Sequence, residues 1–385
     1  MKSRKKNKKI RILKKITILL ILMLLILIFM IAIFIKKQYS KENTQYKSEI
    51  YVEEKNDKII SITSNISKVY LAVNGTKKLE VTLETEGNPD TNLNWESSDD
   101  SIVSVDNEGI VYAHNVGNAN IKVYKESVEY NFEIIVTDLI TVPTLNNNKP
   151  ELPCGRYTKE EADLLDEILF SRVEEAGYGT RGGVVAAIRF LLLEFPYTIR
   201  YFNENGRLSG NGIGGEGRYY ERGLYLHESK FETLKGKSTL SGPAIWGCRL
   251  YDSFIDEWRP NGFTCSGFVT WALLNGGLDI GDVGAGDYAY LTNELSDMGP
   301  HIELTYDFMK NGQYKVGDFI GRDGHAALII GISDTTIYTA EALPTKTKVW
   351  IYERYSGIVE DENLTYLINM DDIYPNGEGI YTNMW

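Results

Sequence analysis

Three hydrophobic rhythms succeed one another along the chain, and each predicts a different element. Ile16 to Ile35, "ITILLILMLLILIFMIAIFI", is apolar throughout with only Thr17 to interrupt it. A helix of that length measures about 30 Å, the thickness of a bilayer's hydrocarbon core. Residues 36–58 are polar with no sustained period and read as a stalk. From Lys77 the period becomes two. "KKLEVTLETEG" and the run from Leu93 to Val136 alternate apolar and polar residues between Asp-Asn-Glu-Gly, Asn-Val-Gly-Asn and Lys-Glu-Ser turns. Short strands so punctuated predict an all-β sandwich over 59–138. A Pro/Asn-rich linker, 139–153, follows, and then the period shifts to 3.6. "YTKEEADLLDEILFSRVEEAG" opens on a capping box, Thr158 with Glu161, and closes at Gly177. "TRGGVVAAIRFLLLEFPY" is a second, more apolar helix stopped at Pro196.

Charge sets the topology. Residues 1–15 carry nine Lys/Arg and no acid, so this tail should stay in the cytoplasm and everything after Lys37 should lie outside. The apolar run is too long for a cleaved signal peptide and lacks a small-x-small site, so 16–35 reads as a retained single-span anchor in the cell membrane. Beyond Lys37 stand 30 bases against 53 acids, a formal charge of −23. That balance excludes nucleic acid as a partner, since a phosphate backbone needs a basic face. The three cysteines of an exported chain leave one thiol over: Cys154 and Cys248 could bridge, with Cys265 as the odd one.

Cys265 sits in "NGFTCSGFVTWALLNGG", where a small polar step precedes an apolar helix. A thiol at a helix's first turn meets unpaired N–H groups and the positive end of the dipole, which lower its pKa. Ser266 and Gly267 are small enough to let a carbonyl approach, and a backbone N–H there can hold an oxyanion. A nucleophile needs a base, and His325 opens an apolar strand in "YKVGDFIGRDGHAALIIGISDTTIYTAEAL". Three strands are expected here: Val316–Ile320, His325–Ile332 and Thr336–Ala342. With a three-residue turn at 333–335, Ile332 pairs Thr336 and Ala327 lies opposite Glu341, so His325 and Glu341 share a face. Glu341 is then the third member that fixes the imidazole; Thr339, farther along the same face, and Asp323, in the turn, are alternatives.

Two resemblances add to these readings. Trp95-Glu-Ser-Ser, Val105, Gly109-Ile-Val-Tyr-Ala113 and Gly117-Asn-Ala-Asn-Ile121 resemble the bacterial immunoglobulin-like domains of group two. That resemblance implies a spacer, with possible contacts to the wall or surface. "TCSGFVTWALLNGG", then "VGDFI" and "GHAALIIGI", resembles an NlpC-type cysteine peptidase, a papain-like family that cuts cell-wall peptides. "GPAIWGC", Gly242 to Cys248, resembles the segment upstream of that family's nucleophile and brings in Trp246 as a substrate contact. The resemblance implies an α+β catalytic domain over 154–385 with an N-terminal helical extension. In it Cys265 is the nucleophile, His325 the base and Glu341 the third member, acting on peptidoglycan stem peptides without a cofactor. Three positions depart from the pattern: Thr264 stands where the family has Asp, Ala244 where it has Tyr, and Glu341 where the third residue is usually His, Asn or Gln.

Other chemistries find less support. Gly212-x-Gly214-x-x-Gly217 matches a dinucleotide fingerprint by letters, but neither a strand before it nor a helix after it is legible. A mobile loop beside the site is the better reading, with Tyr219, Tyr220 and Tyr225 as candidate substrate contacts. No metal set is visible, because the four histidines are isolated. Two rival functions remain: an amidase cutting between sugar and stem peptide, and an inactive wall-binding or adhesive module on the same scaffold.

Overall fold

A computed structural model of the chain describes residues 2–49, 57–203, 221–233, 245–252, 255–278, 301–312, 314–334, 336–344, 348–355 and 364–385. The chain falls into two compact units, Met1–Ser61 with Leu83–Thr91, and Ile62–Thr82 with Asn92–Trp385. The first unit holds helix α1 (Lys2–Glu49), whose segment Lys9–Lys41 is long and apolar enough to cross a membrane. Its apolar side chains are exposed on every face, so the helix could serve as a signal anchor or a membrane span. The helix continues into both the expected tail and the expected stalk, because Lys, Gln and Glu are good helix formers. Strand β1 (Lys58–Thr63) pairs with β4 (Thr82–Glu86).

The second unit begins with an immunoglobulin-like sandwich. One sheet runs β2 (Lys68–Ala72), β9 (Val128–Thr137), β8 (Gly117–Lys125), β5 (Asn94–Ser97); the other runs β3 (Thr76–Lys78), β7 (Ile110–Ala113), β6 (Val103–Val105). Alternation is clearest in β8 and β9, where Ile121, Val123, Phe132 and Ile134 are sealed from solvent and the residues between them are more exposed. The turn before β7 is built by Asp106, whose carboxylate accepts the amides of Glu108 and Ile110, both at 2.9 Å. Gly109 follows at φ 77°, where a Cβ would lie 2.6 Å from the Trp95 ring.

The sandwich is not hung on a loose tether. Leu139 and Ile140 are buried in one hydrophobic core with Tyr70, Ala72 and the helices beyond. Helix α2 (Lys159–Ala176) starts on its capping box, with the Glu161 amide on Thr158 Oγ1 at 3.2 Å and the Thr158 amide on the Glu161 carboxylate at 2.9 Å. Arg172 on this helix donates to the Tyr70 carbonyl at 2.8 Å and to the Glu194 carboxylate at 3.0 Å. Helix α3 (Arg181–Arg189) passes into a π turn at Phe190–Glu194 before Pro196. Lys149, from the segment expected as a linker, donates to the Leu192 and Phe195 carbonyls at 2.7 and 2.6 Å. It thereby satisfies groups that the end of the helix leaves open.

An eight-stranded sheet carries the rest. Its order is β13 (Gly262–Phe263), β10 (Arg200–Tyr201), β18 (Lys348–Tyr355), β17 (Thr336–Leu343), β16 (His325–Ile332), β15 (Phe319–Arg322), β19 (Tyr366–Ile368), β14 (His301–Glu303). A separate hairpin joins β11 (Arg249–Asp252) to β12 (Glu257–Pro260). Two short helices, α4 (Glu228–Thr233) and α6 (Tyr306–Lys310), flank α5 (Cys265–Asn275), which packs on β16, β17 and α3. The expected strand from Val316 begins instead at Phe319, because Asp318 turns inward to Arg181.

Candidate active site

The helix-breaking step before α5 is a cap. Thr264, at φ −83° and ψ 176°, accepts the Gly267 amide on its hydroxyl at 3.1 Å, so Cys265 is the first residue of the helix. Thr264 thus does without charge what an aspartate could do with one. The cysteine is 7% exposed. Burial alone would push its thiol up, but the His325 ring and the backbone amides of Ala326 and Ser266 bond the sulfur and hold it below its ordinary value. The Gly324 carbonyl lies 4.0 Å from Sγ. Cys265 is the free cysteine; Cys154 and Cys248 are joined in a disulfide. That bridge steadies the approach to the helix, since Asn261 donates its amide to the Cys248 carbonyl at 2.8 Å.

His325 opens β16 and is also buried. Its Nε2 stands 2.7 Å from Glu341 Oε2, which leaves Nδ1 for the sulfur. Burial opposes charging the ring, yet the bonds to Cys265 and Glu341 outweigh it and push the imidazole up to about 9. Glu341 is 1% exposed, and its other oxygen accepts the hydroxyl of Thr339. The structure therefore joins a thiol, an imidazole, a carboxylate and a hydroxyl in one buried row.

The register that makes this row differs from the expected one. Ile332 pairs with Ile337, not Thr336, so the hairpin loop has four residues; taken alone, that would move Glu341 off the His325 face. A bulge between Ile329 and Gly331 restores the count, and Leu328 pairs with Ala340. The carbonyl freed at Ile330 is taken by Arg189 of α3, whose Nη2 and Nε lie at 2.7 and 3.1 Å.

Other expected contacts fall elsewhere. Trp246 is 1% exposed and packs edge-on against Tyr225, Phe263 and Trp271, so it is core and offers no face to a substrate. Tyr225 is core as well. The Ser266 side chain is buried, 3.4 Å from the Thr264 hydroxyl; its contribution to the sulfur is its amide. Asp323 lies in the turn before His325 without joining the row, its carbonyl held by Arg322. Tyr219, Tyr220, Ala244 and the glycine-rich stretch lie outside the described residues.

Tyr201 is a neighbour that sequence reasoning missed. Parallel pairing of β10 with β13 sets Tyr201 beside Phe263, two residues before the cysteine. Burial first, then the nearby Cys265 charge, push its phenol upward. Its signal could not be found in sequence, because the contact exists only once two distant strands pair. Among the described residues no three His, Cys, Asp or Glu side chains are placed to hold a metal ion. A cavity of about 350 Å³ lined by Pro143, Arg172, Val185, Leu193 and Trp385 contains none of the row's residues.

Residues 58–136 match the family described as bacterial Ig-like domain, group 2. No curated protein matches the chain. Among solved structures it is similar to domains 4 and 5 of the S-layer protein SbsC, at 21% identity over 21% of this chain and 47% of that one, TM-score 0.20. It is also similar to a GH10 xylanase from termite gut containing a bacterial Ig-like domain, at 20% identity over 22% of this chain and 21% of that one, TM-score 0.17. The chain thus spans less than half the length of these structures, and the family match ends well before Cys265.

Proposed function

We propose that this protein with an Ig-like domain is a membrane-anchored, extracytoplasmic cysteine peptidase, papain-like and of the NlpC kind, that hydrolyses peptide bonds in peptidoglycan stem peptides. The single observation that carries the reading is the buried row Cys265–His325–Glu341, with the sulfur on the first residue of α5. The arrangement suits acyl transfer. The Cys265 thiolate attacks the amide carbon, and the helix's first amides stabilise the oxyanion. Nδ1 of the His325 imidazolium gives its proton to the leaving amine, which departs as the C–N bond breaks. A water then adds to the thioester carbon and loses a proton to His325; the C–S bond breaks, releasing the thiolate and a carboxylic acid that gives its proton to solvent. Glu341 keeps its proton off throughout and holds the ring in the useful tautomer. In this reading the basic N-terminal flank stays inside, and the acidic character of the outer chain limits adhesion to an anionic envelope.

Purified walls digested side by side with wild type and Cys265→Ala test the proposal, with muropeptides read by mass spectrometry. New stem-peptide termini in the wild-type digest alone are the expected result. Free lactyl ends on the sugar would make the enzyme an amidase instead. Identical digests, with both proteins retained on the wall, would leave only a binding module.

A further inference from the structure

We propose that Thr339 is a positioning residue of this row: its hydroxyl pins the Glu341 carboxylate, so that one oxygen faces His325 and the other is held away. The inference rests on the cysteine-peptidase reading above. Thr339 and Glu341 are two apart on β17, so their side chains leave the strand on the same face. Oγ1 of Thr339 donates to Oε1 of Glu341, while Oε2 stands 2.7 Å from the ring nitrogen.

A carboxyl torsion is otherwise broad, and rotation would carry Oε2 out of line with Nε2. Thr339 is 0% exposed and Glu341 1%, so bulk water cannot replace the donor. A donated hydrogen bond also favours the ionised carboxylate, which must not take the imidazolium's proton if the sulfur is to stay charged.

The charged and titratable neighbours come from every side. Cys265 reaches the ring from α5, Arg322 of β15 pairs with His325, Tyr201 of β10 senses the sulfur, and β18 sets Tyr352 opposite Thr339. A purely structural threonine would affect folding and leave the sulfur's titration alone.

The test uses the full chain in detergent with its disulfide intact, so that iodoacetamide meets Cys265 as the free thiol. Alkylation rate against pH gives the thiol's midpoint in wild type and in Thr339→Val, Thr339→Ala and Thr339→Ser. Valine and alanine should raise the midpoint by about one pH unit and lower kcat about tenfold with KM unchanged. Serine should restore both. Serine and alanine lack the same methyl and differ in the hydroxyl alone, so their difference isolates it even where both lose stability. A depressed wild-type midpoint that valine and alanine leave in place overturns the role of Thr339 and spares the peptidase. A wild-type midpoint near about 8.5, unmoved by His325→Ala, overturns the peptidase reading and this proposal with it.

Discussion

Two charged clusters, each centred on buried groups, share the large sheet and the helices packed on it, and they end differently. In the first, Arg181 is fully buried and reaches Asp318 at 2.8 Å, Asp371 at 2.6 Å and Glu378 at 3.2 Å. Asp318 also accepts the amides of Lys315 and Met370, at 2.8 and 3.1 Å, and the guanidinium lies over the Tyr374 ring. Its carboxylates all pair with Arg181, and the result ties the segment beyond β19 to α3. In the second cluster the row runs Thr339, Glu341, His325 and stops at a sulfur. The first cluster is closed, its charges paired with one another, whereas the second ends on a thiol that, on the proposed reading, is free to attack. Buried charge in the first fixes architecture; in the second, on the peptidase reading proposed above, it would hold the sulfur ionised.

The largest effect expected from this contrast is on turnover. Cys265→Ala should abolish hydrolysis, by about four orders of magnitude or more, with the melting temperature little changed. Assay of cleaved wall peptide beside a thermal melt checks it. A variant that unfolds would make the sulfur part of the architecture and erase the distinction. Next comes Arg181→Met, which keeps much of the stem but leaves Asp318 buried without its cation. Breaking such a pair costs about 3–5 kcal/mol. Denaturant unfolding should show that loss, while Cys265 alkylation of the folded protein keeps its wild-type pH dependence. A variant as stable as wild type would mean the first cluster does not hold the fold.

How far these clusters were legible from sequence follows from the range of the contacts. The sandwich is readable because Ile121, Val123, Phe132 and Ile134 alternate within single strands, and the capping box of α2 spans only one turn. Cys265 and His325 are readable because a thiol after a cap and a histidine opening an apolar strand are local patterns. The face of Glu341 came out as expected through two errors of opposite sign: the loop is one residue longer than assumed, and the bulge removes the excess. Gly331 is the one local hint of that bulge, and Arg189 stabilises it from another helix. Trp246 shows the converse. Its motif suggests a wall contact, but an indole between Phe263 and Trp271 is packing, and only the third dimension tells the two apart.

The pH response sharpens the comparison at intermediate scale. The imidazole is raised from 6.5 to about 9, so its contribution to stability is full below 6.5 and is lost as pH climbs through 9. The thiol is lowered from 9.0, so its contribution is full above 9.0 and is lost as pH falls through its folded value. Across this window the two trends oppose, so wild-type stability should vary less with pH than either group alone would make it. Hydrolysis should instead fall on the alkaline side near pH 9, where the ring loses its proton. Glu341→Gln removes the charge facing Nε2 and should move that limb down by about one pH unit. An unmoved limb would place the carboxylate outside the chemistry, as closed as Asp318.

The smallest expected effect concerns the cap. Thr264→Asp keeps an oxygen for the Gly267 amide, and aspartate caps helices at least as well as threonine, so the helix should keep its first turn. The new carboxylate adds negative charge beside a thiolate, which should raise the thiol midpoint by about half a pH unit. Thr264→Asn, which caps without charge, should leave the midpoint in place. Alkylation against pH separates the two variants. A shift with asparagine as large as with aspartate would trace the effect to cap geometry. It would also show that a residue one step from the sulfur belongs with the closed kind of cluster, shaping the helix without touching the charge at its end.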